Sequence, residues 1–256
     1  MVRLLTRACE IRGLNYLRVP STERAERAIR DVQPWAVVDG RDWAGVCEEP
    51  VPIHEGLGSL AEFSPPLALA ELCERLGVPC TVFTAGTEFE EADDRLLAAG
   101  GKRFLLARTD GVFTPWERSG FAVHALDALD SGLAVEVNPA KPWEGTYGPD
   151  LVDAVLDLLM DGASGAATLL QAEPWSEAEF ARRLADTAEC DPDLIFLRPR
   201  AAAFRPGATA GPAFVPLLPP GDTTLERFVR ESRSARRAGA SGITRRMDEA
   251  RLQAAE

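Results

Sequence analysis

Apolar positions in this chain recur at two periods that take turns along it. Residues 3–12 (RLLTRACEIR) place Leu4, Leu5, Ala8 and Ile11 on one helical face, and Gly13 follows where a helix would end. The run 14–19 (LNYLRV) reads as a short strand closed by Pro20 and Ser21. A second helix is predicted over 22–32, with Ser21 as its cap, Ala25, Ala28 and Ile29 inward and Arg24 and Arg27 outward. After Pro34 the continuous run Trp35, Ala36, Val37, Val38 is what a strand covered on both faces requires.

The same beat continues. From 39 to 66 the signal is weak, because Pro50, Pro52, Pro65 and Pro66 interrupt it. Residues 67–76 form an amphipathic helix stopped by Gly77, residues 79–83 a buried strand, and residues 88–99 a helix ended by Gly100 and Gly101. A strand over 103–108 follows. Beyond it the pattern predicts helices over 121–129, 149–160, 176–187 and 225–230, with short strands near 134–137, 166–170 and 194–197. Ser176 and Glu179 have the spacing of a capping box. Alternating units of this length predict an α/β fold: a parallel sheet with helices on both faces.

Length and charge narrow the class. A chain of 256 residues can bury one substantial core. Its formal net charge of -12 repels polyanions over most of the surface, so nucleic acid and anionic membrane are not expected as partners. No apolar run approaches the roughly 18 residues of a membrane span and no signal-type segment opens the chain, which gives the cytoplasm as the expected location. Cys9, Cys47, Cys73, Cys80 and Cys190 are scattered without a C-x-x-C pair, so buried free thiols are expected rather than a metal site.

Three segments carry a resemblance. They are KRFLLARTDGVFTPW (102–116), GTYGPDLVDAVLDLL (145–159) and WSEAEFARRLA (175–185). Together they resemble the extended short-chain dehydrogenase/reductases, in particular the dTDP-4-dehydrorhamnose reductase-like, sugar-nucleotide-binding branch. That family has an R-T-S strand end, an aromatic-Gly-Pro loop, a Thr-Tyr-x-x-Asp-Leu turn into a helix, and a Trp-x-Glu-Phe-Ala helix. Thr114 here stands where the family has Gly.

The resemblance implies a Rossmann-like core over 1–116, the rest of the core and a small C-terminal sugar-nucleotide lobe over 117–231, and leaves 232–256 as an arginine-rich tail expected to be disordered or to serve as an interaction arm. Aligning 4–19 with the family's first helix and second strand leaves the usual first strand and its glycine loop missing. The substrate-side residues that the resemblance carries over are Thr84, Arg108, Thr109, Trp116, Thr146 and Tyr147, with Pro115 and Asp150 beside them. Each has a structural alternative: Arg108 can tie strand to loop, Asp150 can cap its helix, and Trp116 and Tyr147 can pack rather than stack on a ligand.

The family's chemistry is not carried over. Hydride transfer there uses a Tyr-x-x-x-Lys pair, but Tyr16 is followed at that spacing by Pro20 and Tyr147 by Leu151. The family's Ser-Thr-Asp is Thr84, Ala85, Gly86, and its Asn-Ala-Ala is Asp39, Gly40, Arg41. The G-x-G-x-x-A at 56–61 follows a Pro-rich segment rather than a strand, so it lacks the context of a phosphate loop. His54 and His124 match no catalytic template, and the acids Glu88, Glu90, Glu91, Asp93 and Asp94 read as a solvated helix start. The expectation is a reductase-like protein with no catalytic residues and no cofactor, binding a nucleotide sugar, a protein partner or a second copy of itself. Two alternatives stand beside it. One is an active reductase or epimerase using NADP or NAD, with its glycine loop encoded upstream of Met1. The other is an enzyme that reuses the cleft for chemistry independent of a cofactor.

Overall fold

The computed structural model describes residues 2–19, 22–39, 65–85, 91–109, 111–116, 120–143, 145–170, 175–199 and 218–253. In chain order the elements are α1 (Val2–Ile11), α2 (Thr22–Val32), β1 (Val37–Asp39), α3 (Pro65–Leu76), β2 (Cys80–Ala85), α4 (Glu91–Gly100), β3 (Phe104–Thr109) and β4 (Gly111–Phe113). They continue as α5 (Phe121–Asp130), β5 (Val135–Val137), β6 (Gly145–Tyr147), α6 (Gly148–Met160), β7 (Gly165–Thr168), α7 (Glu177–Thr187), β8 (Ile195–Leu197) and α8 (Gly221–Gln253). Two compact units divide them. The first holds α1 to α4, β1 to β3, β6, α6 and β7; the second holds α5, β5, α7, β8 and α8; the division falls inside β4, between Val112 and Phe113.

The first unit is built on a four-stranded parallel sheet in the order β1-β2-β3-β7. Because successive residues point to opposite faces, the strands feed two cores. One face sends Cys80, Val82, Phe104, Leu106 and Ala166 against Ala25 and Ile29 of α2, Leu69, Ala70 and Cys73 of α3, and Leu96 of α4. The other sends Phe83, Leu105, Ala107, Ala167 and Leu169 against Leu151, Val155, Leu158 and Leu159 of α6. Helices on both faces of a parallel sheet are what the alternating pattern predicts. α1 is tied to α6 by Arg12, whose guanidinium reaches Asp153 at 3.2 Å and Asp157 at 2.5 Å.

The strand expected at 14–19 is absent. These residues pair with no strand, and Tyr16 and Leu17 are exposed. An apolar run becomes a strand only where a neighbour offers a ladder; here only Val19 finds the core, packing beside the α2 and α3 cluster. The strand expected at 35–38 starts two residues later, where Val37 N donates to the Pro79 carbonyl at 2.8 Å and opens the ladder with β2. Among the described residues β1 is therefore the edge of the sheet, and 14–19 does not extend it.

In the second unit β5 and β8 pair in parallel, the register running from Val135 with Ile195 to Val137 with Leu197. The capping box at the start of α7 forms as its spacing predicts: Glu179 N donates to Ser176 Oγ at 3.2 Å and Ser176 N to Glu179 Oε2 at 2.7 Å. Glu177, buried beside the cap, accepts from Asn138 N at 2.9 Å and pairs with Lys141 at 3.2 Å. Rings fill the space between elements: Phe180 stacks on Trp143 with centroids 3.9 Å apart, and Phe113 meets Phe180 and Phe228 edge-on. α8 is much longer than the 225–230 helix expected. Leu225, Phe228 and Val229 anchor its first turns, and it runs on through Gln253, into the segment expected to be a disordered tail.

α8 also holds α5 by charge. Asp130 accepts from Arg233 at 2.6 Å and from Arg236 at 2.9 Å. Burial pushes the Asp130 carboxyl up, but the two guanidiniums outweigh it and hold the group below the usual carboxylate range. A depressed folded value means stability that is present above the unfolded pKa of about 3.9 and lost as pH falls through the folded value. Asp130→Asn is accordingly expected to cost up to about 1 kcal/mol at pH 7, the pair being partly exposed, and nothing once the wild-type carboxyl is protonated. Urea unfolding at pH 7 and near pH 2.5 checks this; an equal loss at both values would mean that the charge is not the cause.

Candidate functional site at the strand ends

In the parallel sheet of the first unit the carboxyl ends of β2 and β3 lie side by side. Register pairs Thr84 with Arg108 and Ala85 with Thr109. Paired residues share a face, so Thr84 and Arg108 lie toward the α2, α3 and α4 side and Thr109 toward the α6 side. Strand ends of this kind, where loops diverge over a rigid sheet, are where open α/β folds take ligands.

Arg108 is 1% exposed and its guanidinium is paired with the Asp93 carboxylate of α4. The positive charge is thus balanced inside the protein, and Arg108 ties β3 to α4 rather than to a loop. Its carbonyl accepts from Leu169 N at 2.8 Å, which prolongs the pairing of β3 with the chain beyond β7. Asp93 corrects the expectation of a wholly solvated acidic helix start. Glu91 and Asp94 are exposed, and Glu91 pairs with Arg95 at 2.6 Å, but Asp93 is buried on the stripe that also carries Leu96 and Gly100. Its spacing to Leu96 was the available signal, since residues three apart share a helix face. Glu88 and Glu90 lie outside the described residues.

Thr109 is fully buried, and its hydroxyl has no hydrogen-bond partner among the described residues. The Thr84 hydroxyl, a buried atom on a half-buried residue, and the Thr81 hydroxyl deeper in β2 are in the same condition. Each buried hydroxyl without a partner costs about 1–3 kcal/mol relative to a satisfied one. The Thr84 and Thr109 hydroxyls thus stand at adjacent strand ends but on opposite faces of the sheet.

Thr146 and Tyr147 sit in β6, which forms a two-stranded ribbon with β4 and feeds directly into α6. Both are buried, Tyr147 completely, so its ring packs within the first unit. Asp150 is buried in the first turn of α6, where a carboxylate suits the helix dipole. Thr84, Arg108, Thr109, Thr146 and Tyr147 thus all belong to the first unit. Trp116 belongs to the second, as a half-buried turn residue following the buried Thr114 and Pro115. His124 lies exposed on α5, and His54 and the glycines at 56–61 are outside the described residues. Among the described residues no cluster of His, Cys, Asp and Glu suits a metal ion, and no helix is long and apolar enough to cross a membrane.

The fold recurs in solved structures. The dTDP-4-dehydrorhamnose reductase of Yersinia enterocolitica superposes with a TM-score of 0.62 at 10% identity, covering 90% of this chain and 95% of that one. The fold is that of the dTDP-4-dehydrorhamnose reductases. The Bacillus anthracis reductase, solved in complex with NADP, gives 0.59 at 15% identity over 82% of this chain and 84% of that one. A UDP-N-acetylglucosamine 4-epimerase from Bacillus cereus gives 0.60 at 10% identity, covering 90% and 95%. No family model and no curated protein matches the sequence.

The reductase fold implies a nicotinamide dinucleotide, but among the described residues no glycine turn is built to hold one; the turns that follow β1 and β2 lie outside them. A pyrophosphate needs free backbone N–H groups at a glycine turn that joins a strand to a helix. Gly13 stands at the C-terminal end of α1, with a φ of +66°, and so opens no helix. The turn into α6 does carry Gly148, but that glycine is buried and Pro149 behind it has no N–H to offer.

Proposed function

We propose that the chain binds a nucleotide sugar at the carboxyl ends of β2 and β3 and acts as a binding or regulatory protein, in the cytoplasm, without transferring hydride. The observation that carries this reading is the unsatisfied buried hydroxyl of Thr109 at the end of β3; that of Thr84, at the end of β2, stands on the opposite face of the sheet. A sugar hydroxyl supplies both the donor and the acceptor that such a group lacks. A free pyrophosphate would find the Arg108 charge already balanced by Asp93. The solved structures that share the fold support the substrate class, because their names include reductases and an epimerase of nucleotide sugars. Loss of the Tyr-x-x-x-Lys pair supports the absence of hydride transfer, since neither tyrosine has a lysine at that spacing.

The test is a thermal-shift screen of dTDP- and UDP-sugars, followed by calorimetry on the best of them. Thr109→Val keeps the side-chain shape and removes the hydroxyl. It is expected to leave the empty protein as stable as before or slightly more so, and to weaken binding by about five-fold, the equivalent of about 1 kcal/mol. NADH and NADPH are expected not to bind; a micromolar dissociation constant for either would return the chain to the cofactor-dependent reductases. Sugar binding indifferent to the valine variant would place the ligand elsewhere.

A further inference from the structure

Two thiols meet in the core of the first unit. α3 ends in a left-handed glycine turn: Gly77 has a φ of +68°, its N–H donates to Glu74 O at 3.1 Å, and Val78 N donates to Cys73 O at 3.0 Å. That turn reverses the chain so tightly that β2 begins at Cys80, only two residues beyond Val78. Cys73 and Cys80 are consequently delivered to one cluster, 0% and 2% exposed, among Leu69, Ala70, Phe104 and Leu106. The two thiols are near enough that Cys80 lowers the pKa of Cys73. Nothing in the proposed ligand site uses them.

We propose that Cys73 and Cys80 are a redox-convertible pair, which hydrogen peroxide oxidises to an intramolecular disulfide joining the last turn of α3 to the first residue of β2. A disulfide needs its two sulfurs within reach of one another, and a shared buried cluster on the two sides of a tight turn brings them together. Burial excludes bulky disulfide reagents but admits, through local opening, an oxidant little larger than water. The step balances. The Cys73 thiolate attacks one peroxide oxygen, the O–O bond breaks, and the departing hydroxide takes the proton that the thiol gave up, leaving a sulfenic acid and one water. The Cys80 thiolate then attacks the Cys73 sulfur, the S–O bond breaks, and the second hydroxide leaves as water with the Cys80 proton. Two thiols and one peroxide give one disulfide and two waters.

Cys73 suits the first role. Cys80 holds its thiol below the ordinary range, against the opposing effects of burial and of Asp39. The two more exposed thiols among the described residues, Cys9 and Cys190, are poorer nucleophiles. Burial pushes the Cys9 thiol up, and burial together with Asp130 does the same to Cys190. The pair should therefore be oxidised ahead of cysteines that are easier to reach.

The experiment treats the reduced full chain with hydrogen peroxide, blocks remaining thiols with iodoacetamide after denaturation, and reads intact mass and peptide maps. The expected product has lost about 2 Da, carries a cross-linked peptide containing Cys73 and Cys80, and returns to the dithiol with dithiothreitol. Cys9→Ser and Cys190→Ser should keep the cross-link, whereas Cys73→Ala and Cys80→Ala should abolish it. If an alanine variant fails to fold, mapping of the unsubstituted chain still decides. Recovery of Cys73 and Cys80 as alkylated thiols while Cys9 or Cys190 has been oxidised would overturn the proposal. So would oxygen added to Cys73 without a cross-link, or a disulfide joining any other pair.

Discussion

Asp93→Ala is expected to destabilise the protein by about 3–5 kcal/mol, the cost of leaving the Arg108 guanidinium buried without its counter-ion. Arg108 is 1% exposed, and the Asp93 side chain that balances it is 7% exposed. Water cannot take over the charge while β3 and α4 stay packed. The pair itself adds little net stability, because both ions were stripped of water to form it. That asymmetry gives the test its second arm. Asp93→Leu combined with Arg108→Met replaces two buried ions by apolar side chains of similar length, and the double variant should recover most of what the single variant loses. Urea unfolding of both variants measures it. A single variant costing under about 1 kcal/mol would show that solvent reaches the guanidinium, as it does in exposed pairs.

Phe180→Ala is expected to cost about 3–5 kcal/mol in the second unit. Phe180 is fully buried, with its ring centroid 3.9 Å from Trp143, 5.8 Å from Phe113, 6.1 Å from Phe121 and 6.4 Å from Trp175. Removing the ring opens a cavity bounded by four other rings, and rings cannot collapse into a gap as flexible aliphatic chains do. Tryptophan fluorescence reports the change directly, since Trp143 and Trp175 both touch the ring. Phe180→Leu refills most of the volume and should cost distinctly less. If alanine and leucine behave alike, the ring contacts rather than the volume carry the stability. The acid-sensitive Asp130 pair lies in the same unit, so both measurements belong on one set of unfolding curves.

How much of this was legible beforehand varied with the range of the interaction. The helices at 2–11, 22–32, 65–76 and 148–160 lie within a few residues of where the apolar period predicted them. The Ser176 box formed as spelled. These are events within one turn of chain, and the residues that decide them are neighbours. The strand expected at 14–19 failed for the opposite reason. Its composition suits a strand, but a strand is completed by a partner, and no described segment offers one. β4 and β6 were not expected: β5 and β8 are as short and were read from their apolar runs, whereas Gly111–Phe113 and Gly145–Tyr147 are defined as strands only by their mutual pairing.

The candidate site divides in the same way. Thr84, Arg108, Thr109, Thr146 and Tyr147 were singled out by their resemblance to a family motif, and the sheet brings Thr84, Arg108 and Thr109 to adjacent strand ends. That Arg108 would be neutralised from α4, and that Asp93 would turn inward from a run of acids, depended on how a helix packs against a strand 15 residues away. By itself the sequence determined the alternation of helices and strands, the face each turns to the core, and the glycines and caps that end them, because each of these follows from side chains within a few residues of one another. Only the tertiary structure decided which strands are neighbours, which charges cancel, which hydroxyls are left without partners and which thiols meet, because these depend on residues that the chain itself keeps apart until it folds.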